Sequence, residues 1–326
     1  MILHKFSNII FTKGATRTFA VDIQHNKFWF VPNSMCEFLE NYNHKTKDEI
    51  FADFEKSDHE IVKEYLDFLQ KNLIAAFLPK ENVKNFTEFN LTYHSPYLFE
   101  NVIVDIDKNF NLEILQKLDK IKIPYIQIRF LDKINFEILQ ILENLSFISV
   151  EIIINFENFN ENDFEKYPKI SKIFVYNSSK NNIKELHNKQ FIYKKLANFE
   201  CCGLVTKQTF SLTTSHICLS QKHNSCLYKK LYISTIGEIK NCPQAKSFGN
   251  ILDFSTQEIL DLLQNKEITK CWNITKKEIL VCQDCEFRNV CTDCRYFLQD
   301  KNNQYSKPAN CSYNPYSAEW KKPSKK

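Results

Sequence analysis

Glycine is scarce in this 326-residue chain: there are four, Gly14, Gly203, Gly237 and Gly249, and no two are adjacent. A phosphate-cradling loop needs clustered glycines, so a P-loop and a dinucleotide-binding fingerprint are both excluded. Long apolar runs are missing as well. Stretches such as Ile152-Ile153-Ile154 are far too short to cross a bilayer, and no membrane partner is expected. The opening residues, MILHKFSNIIFTKG, have neither the apolar core nor the small-residue cleavage site of a signal peptide. Charge of one sign is not concentrated. The net charge is +4, no Lys/Arg cluster sits on a recognisable binding motif, and no nucleic-acid partner is expected. The basic end, Lys321-Lys322-Pro323-Ser324-Lys325-Lys326, reads as a solvated tail. These absences point to a cytoplasmic, reducing compartment, where twelve cysteines do not build a disulfide framework.

What is present divides into three parts. The length leaves room for two or three domains, and 43% hydrophobic residues supply a core. In residues 1–84, the segments 8–12, 17–23 and 27–31 are β-branched and aromatic and read as short strands. Pro32 suits the first turn of a helix over 33–42. Thr46-Lys47-Asp48-Glu49 and Ser57-Asp58-His59-Glu60 read as capping boxes opening two more helices. The third helix is expected to carry Ile61, Tyr65, Phe68 and Leu69 on one face, and residues 73–78 close the unit. The product is a module of winged-helix character. Its readings are a small domain that packs on its neighbours, a DNA-binding helix-turn-helix or a peptide-binding winged helix. The acidic third helix, with Glu60, Glu64 and Asp67, would repel phosphates and counts against DNA.

In residues 85–200, apolar runs at Val102–Val104, Ile126–Ile128, Val150–Ile153 and Ile173–Val175 alternate with helical patterns. That alternation predicts βα units and a largely parallel sheet, read as a partial, degenerate β/α barrel. Asp105, Asp107, Arg129 and Asp132 fall near strand ends, where barrel sites lie, although loop charges are common there.

Residues 201–326 hold eleven of the twelve cysteines, and Cys36, outside them, reads as a small buried residue. The order is Cys218-x7-Cys226-x10-Gly237-x4-Cys242, then Cys282-x2-Cys285-x5-Cys291-x2-Cys294-x16-Cys311. Four thiolates hold one iron–sulfur cubane, so eight suit two. Zinc sites also use C-x2-C pairs, and spacing alone does not choose the metal. Cys201, Cys202 and Cys271 are left over and read as ordinary buried thiols. His216 and His223 flank Cys218 and are its possible substitutes.

This C-x10-G-x4-C and C-x2-C-x5-C pattern resembles the SPASM domain at the C-terminus of many radical S-adenosylmethionine enzymes that modify peptides. Cys291-x2-Cys294 is one residue shorter than the family's usual step. The resemblance implies two [4Fe-4S] clusters, one on Cys218, Cys226, Cys242 and Cys294 and the other on Cys282, Cys285, Cys291 and Cys311. The radical enzymes also carry C-x3-C-x2-C after the first barrel strand and a Gly-Gly-Glu turn; neither occurs here. S-adenosylmethionine is therefore not expected as a cofactor. The chain is similar to the SPASM-domain maturases of grasp-with-spasm systems, with VCQDCEFRNVCTDCRYFL and KPANCSYNPYSAEW fitting closest. That resemblance implies a non-radical protein that helps an ATP-grasp ligase mature a ribosomally made precursor peptide.

Residues 1–84 resemble the precursor-recognition element of such systems, in which a leader peptide adds a strand to the small sheet. The strand Lys27 to Val31 would then receive the leader. Phe28 and Phe30 would lie on one face and Trp29 on the other, with Tyr65 and Phe68 walling the groove. Two other functions stay open: a redox enzyme acting on the peptide through its clusters, and a zinc-stabilised peptide-binding scaffold.

Overall fold

The computed structural model describes residues 1–156, 159–195 and 202–321. Cys201 and the tail from Lys322 onward lie outside the described residues.

Strands β1 (Ile2–Lys5), β2 (Ile9–Lys13), β3 (Thr18–Asp22) and β4 (Lys27–Val31) precede helices α1 (Asn33–Tyr42), α2 (Lys47–Ala52) and α3 (His59–Lys71), and β5 (Ala75–Leu78) follows. β2, β3 and β4 form an antiparallel sheet, with β4 paired on one side only, while β1 pairs with β5. The Thr46 capping box forms, with the Thr46 hydroxyl and the Glu49 carboxylate each satisfying a backbone N–H. The second expected box does not form. A 3-10 turn over Lys56–Asp58 runs straight into α3, whose N-cap Asp58 makes no side-chain bond. The buried stripe of α3 is Val62, Leu66 and Leu69, and Ile61 is 53% exposed. A shift of one residue turns the face by about 100°. Leu3, Leu39, Ile50 and Leu69 centre a core belonging to this module alone.

The second core is built on an eight-stranded sheet. Its strands are β6 (Asn101–Ile106), β7 (Tyr125–Phe130), β8 (Ser149–Asn155), β9 (Ile170–Tyr176), β10 (Asn182–Leu186) and β11 (Lys189–Tyr193). After α6 (Thr214–Ser220) come β12 (Lys230–Ile233) and β13 (Ile239–Lys240). The spatial order is β10-β11-β9-β8-β7-β6-β12-β13, parallel from β11 to β12 and antiparallel at each edge. This is a mixed α/β fold with an open, mostly parallel sheet. The segment after residue 201 contributes two of the strands, so the sheet crosses the boundary expected at residue 200.

Alternation decides the two faces. Val102, Val104, Ile126, Ile128, Val150 and Ile152 bury one face in the larger core. Helices α4 (Glu113–Ile121) and α5 (Phe136–Asn144) add Leu115, Leu118, Leu139 and Leu142 to that core. Ile103, Gln127, Arg129, Ile153 and Phe174 look the other way, into a cavity closed by the cysteine-rich segment. No helix among the described residues is long and apolar enough to cross a membrane.

Candidate metal centres

The C-terminal cysteine group is held by short local turns. Cys282 opens a 3-10 turn, and the Cys285 N–H donates to the Cys282 carbonyl at 3.1 Å. The Cys291 N–H donates to the Phe287 carbonyl at 3.0 Å, and Cys311 arrives from a later turn closed on Pro308. Val281, just before the first thiol, sits at φ 68°, a conformation costly for a β-branched residue. Cys282, Cys285, Cys291 and Cys311 line one small cavity with Lys276 and Phe287. Burial pushes the Cys282 and Cys285 thiols up and brings Cys291 to about 12, with neighbouring thiols adding to the rise. Metal binding must therefore displace the protons that burial keeps on Cys282, Cys285 and Cys291.

The N-terminal module clasps this same loop. The Ala15 N–H donates to the Asp284 carbonyl at 2.7 Å, and the Arg288 guanidinium donates to the Lys13 carbonyl at 2.6 Å. The Arg17 Nε donates at 2.8 Å to the fully buried Glu286 carboxylate, which also accepts from Tyr313 at 2.5 Å. Phe19 and Phe287 join a third apolar cluster across this contact.

The other cysteine group borders the cavity on the sheet face, about 310 Å³ in volume. Its motif glycine has a physical reason. Gly237 lies at φ 86° in the turn between β12 and β13, where a Cβ would stand 2.6 Å from the Asn250 Oδ1. That turn folds β13 back on β12 and delivers Cys242 to the cavity wall. Cys226 is set by Asn224, whose Oδ1 accepts from the N–H groups of Cys226 and Leu227. Cys294 Sγ accepts from the Phe297 N–H at 3.4 Å. Burial raises Cys242 to about 12, and Cys226, Cys202 and Cys294 all contribute.

The fourth cysteine lining this cavity is Cys202, not Cys218. Cys202 is exposed, which corrects its reading as a buried leftover; Cys271 is buried. Cys218 is buried on α6, beside Ile217, which packs with Phe19 and Phe287. Burial alone raises the Cys218 thiol, with no contribution from another thiol. Neither histidine lines a cysteine cavity, though the His216 ring lies beside the Cys282 group, against Lys276 and the Cys291 backbone. His223 stacks on Tyr228 at 3.8 Å and bonds Asn273, while the His216 Nε2 is buried without a hydrogen-bond partner. Among the described residues, no three His, Cys, Asp or Glu side chains close to the spacing of ligands on a single metal ion.

Between Cys291 and Cys294 lies a charge cluster that the cysteine spacing gave no reason to expect. Asp293 is 1% exposed. It accepts from the Arg295 Nε at 2.9 Å and the Asn224 Nδ2 at 2.8 Å, and it pairs with the Lys276 ammonium at 3.4 Å. Two buried cations share one carboxylate, leaving an excess positive charge beside the cysteine cavities. Burial by itself would lower Lys276, but the Asp293 carboxylate outweighs it and holds the amine protonated.

No family model and no curated protein matches the chain. Among solved structures it is similar to SuiB of Streptococcus suis. The S-adenosylmethionine-bound form matches at 11% identity and a TM-score of 0.36, covering 93% of this chain and 98% of that one. The form bound to precursor peptide SuiA matches at the same identity and TM-score, with 94% and 99% covered.

On the sheet face, Asp105 and Arg129 form a buried two-point ion pair, and the Tyr232 hydroxyl donates to Asp105 at 2.6 Å. Asp107 and Asp132 are turn residues instead, accepting from the backbone N–H groups of Asn109 and Lys108.

The residues expected to bind peptide separate into two places. Phe28 and Phe30 are 51% and 42% exposed on β4, and Trp29 turns inward to donate to the Asn72 Oδ1 at 3.1 Å. The part of α3 beside β4 is its C-terminal end, where Lys71, Asn72 and Leu73 border a shallow groove with Phe28. Tyr65 lies elsewhere, in a groove between α1 and α3, bonded to the Ser34 hydroxyl and edge-on to Phe38. Phe68 packs against the module core. Tyr65 therefore does not wall the β4 groove.

Proposed function

We propose that this protein is an iron–sulfur maturation factor that holds a ribosomally made precursor peptide for an ATP-grasp ligase. The observation that carries the reading is the gathering of cysteines into two groups of four, each around its own cavity. The donor set fits the group. All eight are thiols, Cys242, Cys282, Cys291 and Cys294 are buried, and an excess cation lies beside them. A cubane liganded by four thiolates is an anion, which that cation would balance. A cubane also spreads its thiolates over four irons, so it spans more than the roughly 2.3 Å Zn–S bonds of one zinc ion. Cys282, Cys285, Cys291 and Cys311 would hold one cluster, and Cys226, Cys242 and Cys294 three corners of the other. When bound, the clusters supply electron-carrying capacity and cross-link the C-terminal segment.

The protein's own residues bind and orient. Among the described residues β4 is an edge strand, and Phe28 and Phe30 stand on it, the arrangement in which a peptide adds as a strand. Arg17 lies 3.9 Å over the Phe30 ring while bonding Glu286, so this edge is tied to the loop between Cys285 and Cys291. Gln127 and Arg129 stand on the sheet wall of the cavity that the second cluster would fill in part, and the space left beside it would take the peptide segment to be modified.

The test is anaerobic purification of the full chain with its precursor peptide and ligase. Iron and sulfide should each come to about eight per chain, and Cys285→Ala should remove about half. The chain alone should neither modify the peptide nor cleave S-adenosylmethionine. Stoichiometric zinc after anaerobic reconstitution would establish the zinc scaffold instead, and peptide modification without the ligase would establish the redox enzyme.

A further inference from the structure

We infer that Cys202 supplies the fourth thiolate of the cysteine group facing the sheet, in the position that the SPASM resemblance implies for Cys218. The inference rests on the cluster reading above and names which residues of this chain complete it.

Three observations place Cys202 there. It lines the same cavity as Cys226, Cys242 and Cys294, and Cys218 does not. The residue after it, Gly203, lies at φ 75°, and a Cβ on it would meet the Cys294 Sγ at 3.3 Å and the Phe297 ring at 2.8 Å. A glycine there lets the backbone after Cys202 press against the Cys294 thiol, and any side chain would push the two apart. The segment is then pinned at Val205, which bridges to Cys311 and whose N–H donates to the Asn310 carbonyl at 3.2 Å. Cys202 is thus the near end of a short connection running from one cysteine group to the other.

Cys218 is held away from the cavity by its helix. Thr213 caps α6, and Ile217 anchors it in the apolar cluster with Phe287 and Val290. Bringing the Cys218 thiol to the sheet-face cavity would pull Ile217 out of that cluster.

The assignment has a chemical consequence. Cys202 is exposed whereas Cys242 and Cys294 are buried, so the corner it holds is the solvent-facing one. Ligand exchange, oxidation and alkylation should begin there, because thiol chemistry follows access as well as thiolate character.

The experiment compares the full-length wild type with Cys202→Ala and Cys218→Ala after anaerobic reconstitution with iron and sulfide. It reads iron content, and it reads residue-level iodoacetamide labelling by mass spectrometry. Wild type should take up about eight irons. Cys202→Ala should lose one to four of them, and Cys218→Ala should keep the wild-type content. In the wild type, Cys202 should label at least tenfold more slowly when iron-loaded than when metal-free. Iron loss with Cys218→Ala but not with Cys202→Ala overturns the assignment, as does equal labelling of Cys202 in both states. A wild type that takes up no iron overturns the cluster reading itself, an outcome visible before either variant is compared.

Discussion

Asp293→Asn is the most informative single change in the cysteine-rich segment. The wild-type carboxylate faces two cations and one amide donor: Arg295 at 2.9 Å, Lys276 at 3.4 Å and Asn224 at 2.8 Å. Asparagine has the same shape but only one acceptor oxygen. If that oxygen faces Arg295, the new amide group points at the Asn224 donor; flipped, it points at the cations. In either orientation a donor faces a donor, and two buried charges lose the carboxylate they share. Removing one partner from a buried ion pair costs about 3–5 kcal/mol, and that is the expected loss for the metal-free protein. Lys276→Met should behave oppositely. It leaves Arg295 and Asp293 as a balanced pair, so the metal-free protein should lose less, about 1–2 kcal/mol of packing and hydrogen bonding. If anionic clusters occupy the cavities, the order reverses on loading. The clusters partly compensate the cations that Asp293→Asn strands, while Lys276→Met deprives the Cys282 group of its counter-charge. The assay is denaturant unfolding of both variants in metal-free and reconstituted form, followed by the fluorescence of buried Trp272. A metal-free Asp293→Asn protein within about 1 kcal/mol of wild type would refute the charge argument. An unchanged ranking of the variants on loading would refute the placement of an anionic group beside them.

Two further outcomes follow from the N-terminal module. Phe28→Ser removes a side chain that is 51% exposed and should leave the fold intact while weakening precursor-leader binding to the full chain severalfold by calorimetry; unchanged binding would move the peptide site away from β4. Asp22 caps the turn before β4. Burial alone would raise its pKa, but hydrogen bonds from His25, Asn8 and the backbone N–H groups of Gln24 and His25 prevail and lower it. A lowered folded-state pKa means stability present above the ordinary aspartate value of 3.8 and lost as the pH falls through the folded one. Asp22→Asn should therefore cost about 1–2 kcal/mol at neutral pH and flatten the acid limb of unfolding, as chemical denaturation at pH 3 and pH 7 would show.

Much of the fold is legible in local pattern. The four apolar runs became β6 to β9, because a strand buried on one face needs only alternation, and the Thr46–Glu49 box formed because its partners are three residues apart. The same logic fails where the pattern is ambiguous by one position. Ile61 and Val62 are equally apolar, and only packing on α1 and the small sheets decides that Val62, Leu66 and Leu69 go inward. Tyr65 illustrates the same point, since the rotation of its helix sets it beside Phe38 and Ser34 and not in the groove at β4.

For the site, sequence alone determined the cysteine inventory and the short spacings that set Cys282 beside Cys285 and Gly237 five residues before Cys242. All of these are contacts within a short stretch of chain, where spacing and geometry are the same thing. Tertiary structure decided which thiols face one another. The motif left Cys202 over and pointed to Cys218, but the path of the chain past Gly203 and the anchoring of Ile217 put Cys202 at the cavity and Cys218 away from it. It also decided that Lys276, Asp293 and Arg295 would meet. A buried charge cluster has no periodic signature, because its members are selected by proximity in space and by the cost of leaving any of them unpaired.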